Sequence, residues 1–335
     1  MIESSPAALP PEVAGALART LPQAEVARAS IAGRGYDVWA WRVPAPGGDW
    51  LVRAPRHPEA IEAIEGQQRL GARFDALELP VPHEHRLLED GSGRTVASGY
   101  RFVEGRTGHV SGALARRRLA VALADFLSRL HALDVSIAIE CGAQPYEPWR
   151  DQWAPMIERC GPLLPTRTRA WVESVGARLD EASRTLPPLV ITHADLKPAH
   201  VLIDEDDRLV AALDFEGARV TDPAVDFSRL RQNWDRRFMA MALETYTGHV
   251  DAGFHVRARC YEALDALESI DIAMRRDWPG LIPGACRALA ARAAADTRRA
   301  SISRRRAQVG WRAGREAGTG VLPGTRSSIT SRLPP

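Results

Sequence analysis

Apolar residues alternate with polar ones along much of the first hundred residues, and this is the period of a strand. The clearest case runs from Val38 to Val43 and resumes at Trp50 and Val52, with prolines and glycines between the two runs. Such a break between alternating runs predicts a β-hairpin. The predicted elements of this half are a short helix near 11–20, the hairpin within 28–56, an amphipathic helix over 58–72 and strands at 86–89 and 98–103.

Beyond residue 110 the apolar residues return every three to four positions, which is the period of a helix. This pattern predicts helices over 113–133 and 166–185, and more helix from about 225 to 293. Residues 189–217 interrupt it with two short apolar runs on either side of an acidic turn at Asp204–Asp207, and these runs predict a second hairpin.

A mainly β half, a mainly α half and an inserted hairpin predict an α+β protein with two lobes. We expect an N-lobe over 1–103 and a C-lobe over 104–295. Residues 296–335 consist largely of Arg, Gly, Ser and Pro without apolar periodicity, so they are expected to form a basic, disordered tail.

Composition narrows the class of protein. The chain has 335 residues, of which 45% are hydrophobic and 26% charged, and these fractions are typical of a globular protein. No run approaches the roughly 18 apolar residues of a membrane span, and the first residues do not resemble a secretion signal. We therefore expect a cytoplasmic protein without a membrane partner. The four cysteines form no C-x-x-C pair, so a zinc ribbon or a disulfide framework is not indicated.

Charge is distributed unevenly around a formal net charge of +2. Residues 291–335 hold ten arginines against Asp296 and Glu316, a balance of +8, so the rest of the chain carries −6. The tail lacks a pattern of interleaved aromatic residues, and nucleic acid is not expected as a partner. Lys197 is the only lysine, so arginine supplies the other 43 basic residues.

The central chemical signal is the segment from His193 to His200, which contains Asp195 and is followed fourteen residues later by Asp214. An aspartate, a metal-ligand side chain five residues on and a second aspartate after a hairpin form a layout that phosphoryl transfer from a nucleoside triphosphate uses. Asp195 would act on the proton of the attacking hydroxyl, while His200 and Asp214 would hold Mg²⁺ against the phosphate oxygens. The alternative for Asp195 is an ordinary turn residue.

The run HADLKPAHVLID, followed by LDFEGARVTDPAVDFSRL, resembles the two central motifs of the aminoglycoside phosphotransferase family, antibiotic kinases with a protein-kinase-like fold. The resemblance covers roughly residues 28–280 in the family's order. It implies a two-lobed kinase fold that uses Mg²⁺ and ATP or GTP. Ala194 stands in place of the family's glycine. His200 stands where many members have asparagine, although macrolide kinases and some aminoglycoside kinases that prefer GTP have histidine there, so ATP and GTP both stay open.

The same resemblance implies nucleotide-binding roles in the N-lobe. Arg53 occupies the position of the phosphate-contacting lysine of protein kinases, and Glu65 would be the helix acid that pairs with it. Gly33 and Gly35 would form the loop over the phosphates, although glycines are more often plain turn formers. A hinge is expected near Gly99–Gly105. The hinge residues assigned to nucleotide binding are Arg101, Phe102 and Val103.

Two residues near the motif are expected to support it without reacting. His193 is structural in the resembled family, and a buried imidazole that bonds backbone is its ordinary role. Asp226 is expected to brace a loop or a helix start in preference to binding the metal.

Residues 261–278 predict a helix whose acids recur every third position. Asp265 and Glu268 among them are candidates to bind a cationic acceptor, because like charges at this spacing repel unless a cation lies near. The alternative is a solvated face on which nearby arginines pair with the acids.

We therefore expect a monomeric antibiotic O-phosphotransferase that acts on an aminoglycoside, or on an aminocyclitol such as spectinomycin, and confers resistance. A macrolide 2′-phosphotransferase is the alternative. A protein kinase is disfavoured because no A-P-E segment follows Asp214. A non-catalytic nucleotide-binding module is disfavoured because the base and metal positions are intact.

Overall fold

The computed structural model describes residues 8–35, 37–147 and 149–298. The elements of the N-lobe are α1 (Pro11–Thr20), β1 (Ser30–Arg34), β2 (Val38–Val43), β3 (Trp50–Pro55), α2 (Ala60–Phe74), β4 (Arg86–Glu89) and β5 (Thr95–Arg101). The five strands form an antiparallel sheet in the order β1-β2-β3-β5-β4.

The two helices of the N-lobe cover opposite faces of this sheet. The β2–β3 hairpin pairs Trp41 with Val52, and both side chains are buried in one cluster with Leu17 of α1. Because side chains alternate along a strand, the residue after Val52 points to the other face. That residue is Arg53, and it contacts Gln67 of α2.

The C-lobe is mainly helical. Its elements are β6 (Arg106–Thr107), α3 (Ala113–His131), α4 (Ser136–Glu140), α5 (Trp149–Cys160), α6 (Thr166–Ala182), β7 (Val190–Thr192), β8 (Val201–Ile203), β9 (Leu209–Ala212), β10 (Arg219–Thr221), α7 (Ala224–Asn233), α8 (Arg236–Leu243), α9 (Phe254–Arg275) and α10 (282–298). The large apolar cluster of this lobe includes Phe126 of α3, Phe227 of α7 and Phe254 of α9, all fully buried.

Two short sheets shape the segment between α6 and α7. β8 and β9 form the predicted second hairpin, with β6 paired to β8, while β7 pairs with β10. The 193–200 loop joins β7 to β8, and the 213–218 loop joins β9 to β10. These pairings therefore place the two motif-bearing loops side by side.

Most predicted elements are confirmed, with ends that shift by a few residues. α1, α2, α3 and α6 match the four helices predicted before the motif, and β2 with β3 matches the first hairpin. Residues 30–34 form strand β1 ahead of the predicted pair of alternating runs. Several short elements were not predicted, among them α4, β6, β7 and β10, and α5 was also missed because Pro155 lies inside it.

The expected start of the tail falls inside helix α10, which continues through residue 298. Asp296 contributes to this, since its Oδ2 accepts a hydrogen bond of 3.1 Å from Trp171 Nε1 on α6. The remaining residues of the expected tail, 299–335, lie outside the described part of the chain. No helix in the described ranges has the length and apolarity needed to span a bilayer.

Candidate active site

Asp195 lies in the 193–200 loop with its carboxylate open to solvent. The side chain is 40% exposed, and its Oδ2 lies 2.8 Å from Lys197 Nζ. His200 Nδ1 approaches the same oxygen at 3.4 Å. A carboxylate that is accessible and has a cation on one side can accept a proton from a hydroxyl placed on the other.

Asp226 of α7 anchors the backbone of this loop through hydrogen bonds. Its fully buried carboxylate accepts hydrogen bonds from the backbone N–H of His193 at 3.0 Å and of Ala194 at 2.7 Å. It accepts a third, of 3.0 Å, from His131 Nε2. Burial raises the pKa of Asp226, but the bond and the charge of His131 outweigh that effect, and the pKa lies below its usual value. Asp226 therefore braces the loop as an ionised acceptor.

His193 and Ala194 set the direction of the chain just before Asp195. The buried His193 ring donates from Nε2 to the Leu213 carbonyl at 2.8 Å and accepts at Nδ1 from the Asp195 N–H at 3.3 Å. It thus ties the 193–200 loop to the 213–218 loop. Ala194 has a φ of +62°, a left-handed conformation that costs a residue with a Cβ about 1–2 kcal/mol. The hydrogen bond to Asp226 helps to hold it there.

His200 and Asp214 face each other across 3.3 Å, from Nε2 to Oδ2. His200 Nδ1 donates to the Asp195 carbonyl at 3.0 Å, and burial lowers the pKa of His200 although Asp214 opposes this. In the neutral ring the Nε2 lone pair then points at a carboxylate oxygen, and two acceptors at this distance need a cation between them. The geometry therefore fits a divalent ion.

Asp214 adds a second sign of such a site. Its Oδ1 is buried and has no hydrogen-bond partner within the described ranges, and its φ of +65° marks a constrained backbone. Burial raises the pKa of Asp214, but the positive charge of Arg53 outweighs that effect and holds the pKa below its usual value, so the carboxyl group stays ionised. No cluster of three or more potential ligands exists among the described residues. Two protein ligands are enough for Mg²⁺, which keeps water and phosphate oxygens as its other ligands.

Arg53 enters the same site from β3. The guanidinium is buried, its Nη1 donates to Gln67, and its Nη2 lies 3.5 Å from both Asp214 Oδ1 and Glu216 Oε2. The predicted pairing of Arg53 with Glu65 is wrong, since Glu65 pairs with Arg69 one turn along α2 at 3.5 Å. Positions 65 and 67 lie about 200° apart around a helix, so only one of them can face β3.

The loop between β1 and β2 carries the two predicted glycines. Gly33 lies within β1, and no atom of the described residues stands within 4 Å of the place where its Cβ would be. The N–H of Gly35 donates to the Val38 carbonyl at 2.9 Å. The loop also reaches the other lobe, because Asp37 accepts a hydrogen bond from Arg276 just after α9. Sequence reasoning did not anticipate this link between the lobes.

The hinge residues point partly away from the cleft. The Arg101 side chain donates to Glu84 at 2.9 Å and to the Gly48 carbonyl at 2.7 Å, on the N-lobe surface. The Phe102 ring lies 4.3 Å under the Arg42 guanidinium. No contact assigns a role to Val103. A residue that the sequence reasoning missed, Tyr100, is buried, and its burial together with the charge of Asp214 raises its pKa to about 12 despite Arg53.

The two acids proposed to bind the acceptor already have partners. Asp265 accepts from Arg229 Nη1 and, at 2.7 Å, from Gln232 Nε2. Glu268 lies 3.7 Å from Arg229 Nη2 and 3.8 Å from Arg219 Nη2. The arrangement corresponds to the alternative reading, in which arginines pair with the acids, and it leaves this part of the site nearly neutral.

A groove of about 680 Å³ lies between α5, α9 and residues 216–221. Trp153 and Met156 contribute an apolar part of its wall, and Gly217 also lines it. A Cβ on Gly217 would stand 3.6 Å from the Cβ of Asp195. The groove therefore opens next to the candidate base and is large enough for several sugar or ring units.

Comparison with known proteins places these features in context. The family described as "Phosphotransferase enzyme family" matches residues 29–267. The uncharacterized protein YcbJ of Bacillus subtilis (strain 168) is 29% identical over 149 residues, which are 44% of this chain and 47% of that protein. The alignment thus spans about half the length of this relative.

Two solved structures extend the comparison to the whole fold. The GDP complex of wild-type aminoglycoside 2'-phosphotransferase-IIIa has a TM-score of 0.73 at 21% identity, covering 84% of this chain and 97% of that one. The macrolide 2'-phosphotransferase MphH from Brachybacterium faecium has a TM-score of 0.67 at 24% identity, covering 84% and 98%. At this identity the likeness concerns the fold, and the predicted two-lobed, kinase-like architecture is confirmed.

Proposed function

Because the chain belongs to the phosphotransferase enzyme family, we propose that it transfers the γ-phosphate of ATP or GTP to a hydroxyl group of a small-molecule antibiotic and so confers resistance. The observation that carries the proposal is the accessible Asp195 carboxylate next to the facing pair His200 and Asp214. These are the acceptor-activating and metal-holding groups that phosphoryl transfer requires.

In the proposed reaction the acceptor hydroxyl lies in the groove beside Gly217 and against Asp195. Its oxygen forms a bond to the γ-phosphorus, the bond from that phosphorus to the bridging oxygen of the β-phosphate breaks, and the hydroxyl proton passes to the Asp195 carboxylate on the side away from Lys197. The nucleoside diphosphate then leaves. Lys197 Nζ lies 2.8 Å from the same carboxylate and fixes the position of its Oδ2.

Mg²⁺ would supply charge neutralisation and orientation of the phosphates. In this chain His200 Nε2 and Asp214 would hold it, while Arg53 would contact the phosphates directly. A guanidinium binds phosphate through two nitrogens, so arginine can take the place of a lysine here. Gly33 and Gly35 would cover the phosphates, and the hinge at Arg101–Val103 would contact the nucleobase.

The aminoglycoside or aminocyclitol class rests on a net charge of −6 for residues 1–290 and on acids along the groove, which include Glu147 and Asp151. A macrolide is the second candidate. It is favoured by the arginine pairing of Asp265 and Glu268 and by the apolar wall of Trp153 and Met156. A protein substrate is not favoured, since only a short turn and the three-residue β10 separate Asp214 from Asp222.

The experiment is a radiolabelled phosphate-transfer panel with ATP and GTP as donors and with aminoglycosides, spectinomycin, macrolides and a generic protein as acceptors. Asp195→Asn should lower turnover by about 10²–10⁴-fold while nucleotide affinity stays within about threefold. Asp206→Asn, an exposed hairpin residue, is the matched control and should not change turnover. Transfer to the protein alone, or near-normal turnover of Asp195→Asn, contradicts the proposal.

Salt separates the two drug classes. A cationic drug held by partly exposed carboxylates should show a KM that rises with ionic strength, because screening acts over about 8–10 Å. A macrolide bound mainly through burial of its ring should show little change. The acceptor belongs to the drug class that has a low KM and whose KM responds to salt as expected for that class.

A further inference from the structure

Arg229 of α7 connects the 193–200 loop to α9. Its Nε donates to the Ala194 carbonyl at 2.7 Å, while Nη1 donates to Asp265 and Nη2 lies 3.7 Å from Glu268. The side chain is only 14% exposed. One guanidinium thus bonds the residue before the candidate base and two acids on a packed helix.

The surrounding charges keep Arg229 in this orientation. Gln232, one turn along α7, donates to the second oxygen of Asp265 at 2.7 Å, and Arg219 lies 3.8 Å from Glu268. Burial lowers the pKa of Arg229, and the carboxylates of Glu268 and Asp195 oppose that effect. With both acids paired, the guanidinium has fixed partners on one side and the loop carbonyl on the other.

Ala194 is the residue that needs such support. Its φ of +62° is unfavourable for a side chain with a Cβ, and glycine would adopt it without strain. Asp226 holds its N–H at 2.7 Å and Arg229 holds its carbonyl at 2.7 Å. The backbone N–H and the carbonyl of this one residue, which lie in the two peptide units on either side of its Cα, are therefore both anchored from α7, immediately before Asp195.

We propose that Arg229 is a positioning residue for Asp195, and that Asp265 and Glu268 serve the reaction by orienting Arg229 instead of by binding the acceptor. The inference rests on the proposed function only in naming Asp195 as the base. A small displacement of a reacting group lowers a rate steeply, whereas acceptor affinity depends on the groove walls. We call the bonds that join Arg229 to Ala194, Asp265 and Glu268 the clamp. Loss of the clamp should therefore lower kcat and leave the acceptor KM unchanged.

The test compares Arg229→Gln, Arg229→Lys and Asp265→Asn with Arg231→Gln. Arg231 is the matched control, because it forms the same kind of α7–α9 ion pair, with Glu262, at 13% exposure. Arg229→Gln should lower kcat by about 10–100-fold with acceptor KM within about threefold. Asp265→Asn should lower kcat in the same direction, and Arg229→Lys should restore part of it. Arg231→Gln should leave kcat unchanged.

A second readout needs no substrate. Hydrogen exchange of the His193 and Ala194 amides should become at least about tenfold faster in Arg229→Gln and not in Arg231→Gln. Unchanged exchange, or equal effects of the two variants, overturns the clamp. A raised KM with normal kcat in Asp265→Asn assigns the acids to acceptor binding and also overturns it. If the wild type transfers phosphate to no antibiotic, the proposed function fails, while the exchange result still decides the clamp.

Discussion

Replacing Arg257 by methionine removes a fully buried guanidinium that belongs to α9. Its Nε donates to Asp222 Oδ2 at 2.5 Å, and its Nη1 and Nη2 donate to the two oxygens of Asp251 at 2.9 and 2.7 Å. Asp222 is also fully buried and accepts a bond of 3.1 Å from the Tyr261 hydroxyl. Methionine fills a similar volume without charge, so the variant leaves one carboxylate buried without its cation.

The expected loss of stability follows from the carboxylate that stays buried without its cation. Removing one partner of a buried ion pair destabilises a protein by about 3–5 kcal/mol, since the remaining charge keeps its desolvation penalty. A domain of this kind has a total stability of about 5–15 kcal/mol. At about 2–4 °C for each kcal/mol, Arg257→Met should lower Tm by roughly 6–20 °C.

The pH dependence gives an independent check. The hydrogen bonds from Arg257 lower the pKa of Asp251 to about 2, below the usual 3.8. A depressed carboxyl pKa contributes stability that is full above the unfolded-state pKa and is lost as pH falls through the folded-state value. The wild type should therefore lose this contribution between about pH 4 and pH 2. Arg257→Met should lack it, so the difference between the two proteins narrows in that window.

Urea unfolding and calorimetry at pH 7.5, 4 and 2.5 measure both effects. Arg208→Met is the control, because Arg208 forms an exposed pair with Asp206 at 2.9 Å and 72% side-chain exposure. Such pairs contribute about 0–1 kcal/mol. A loss below about 1 kcal/mol in Arg257→Met, or a difference that does not depend on pH, would refute the reasoning from buried charge.

Three further predictions concern packing, reactivity and the loop brace. Gly71→Ala should destabilise the protein by about 1–3 kcal/mol in urea unfolding, because the new Cβ would stand 2.3 Å from the buried His85 ring. Alanine itself favours helix, so a more stable variant would contradict this steric argument. Burial raises the thiol pKa of Cys160 and of Cys260 to about 11, so a disulfide reagent should modify both far more slowly in the native than in the unfolded protein, and equal rates would exclude the buried placement. Asp226→Asn places an amide opposite two loop N–H donors; it should cost about 1.5–3 kcal/mol in thermal unfolding and lower kcat, and a neutral variant would show that the brace is dispensable.

The sequence allowed the local chemistry to be predicted better than the pairing of distant groups. The positions of Asp195, His200 and Asp214 follow from one loop and one hairpin, and short-range spacing predicts both. The partner of Arg53 depends on how α2 is rotated over the sheet, which Glu65 and Gln67 do not reveal by their types alone. Rotation is decided by tertiary packing, and here a polar Gln67 faces the sheet.

The acids of α9 illustrate the same limit. Their spacing in the sequence is evident, but the arginine that pairs with Asp265 lies 36 positions earlier, on another helix. Periodicity within one segment carries no information on such contacts. The pairing of β7 with β10 was also beyond prediction, since the whole second hairpin separates paired residues such as Thr192 and Arg219 along the chain.

The single lysine of this chain has a practical consequence. Lys197 Nζ is 40% exposed and lies 2.8 Å from Asp195, and arginine side chains do not react with amine-directed acylating reagents at neutral pH because they stay protonated. Acylation of a side-chain amine can therefore occur only within the 193–200 loop, where it removes the charge that faces Asp195. Apart from the α-amino group, an activated ester carrying a fluorophore would label this loop, and protection of Lys197 by nucleotide would report occupancy of the cleft. For the same reason, any tag attached to a lysine of this chain in a cell would be attached at the 193–200 loop.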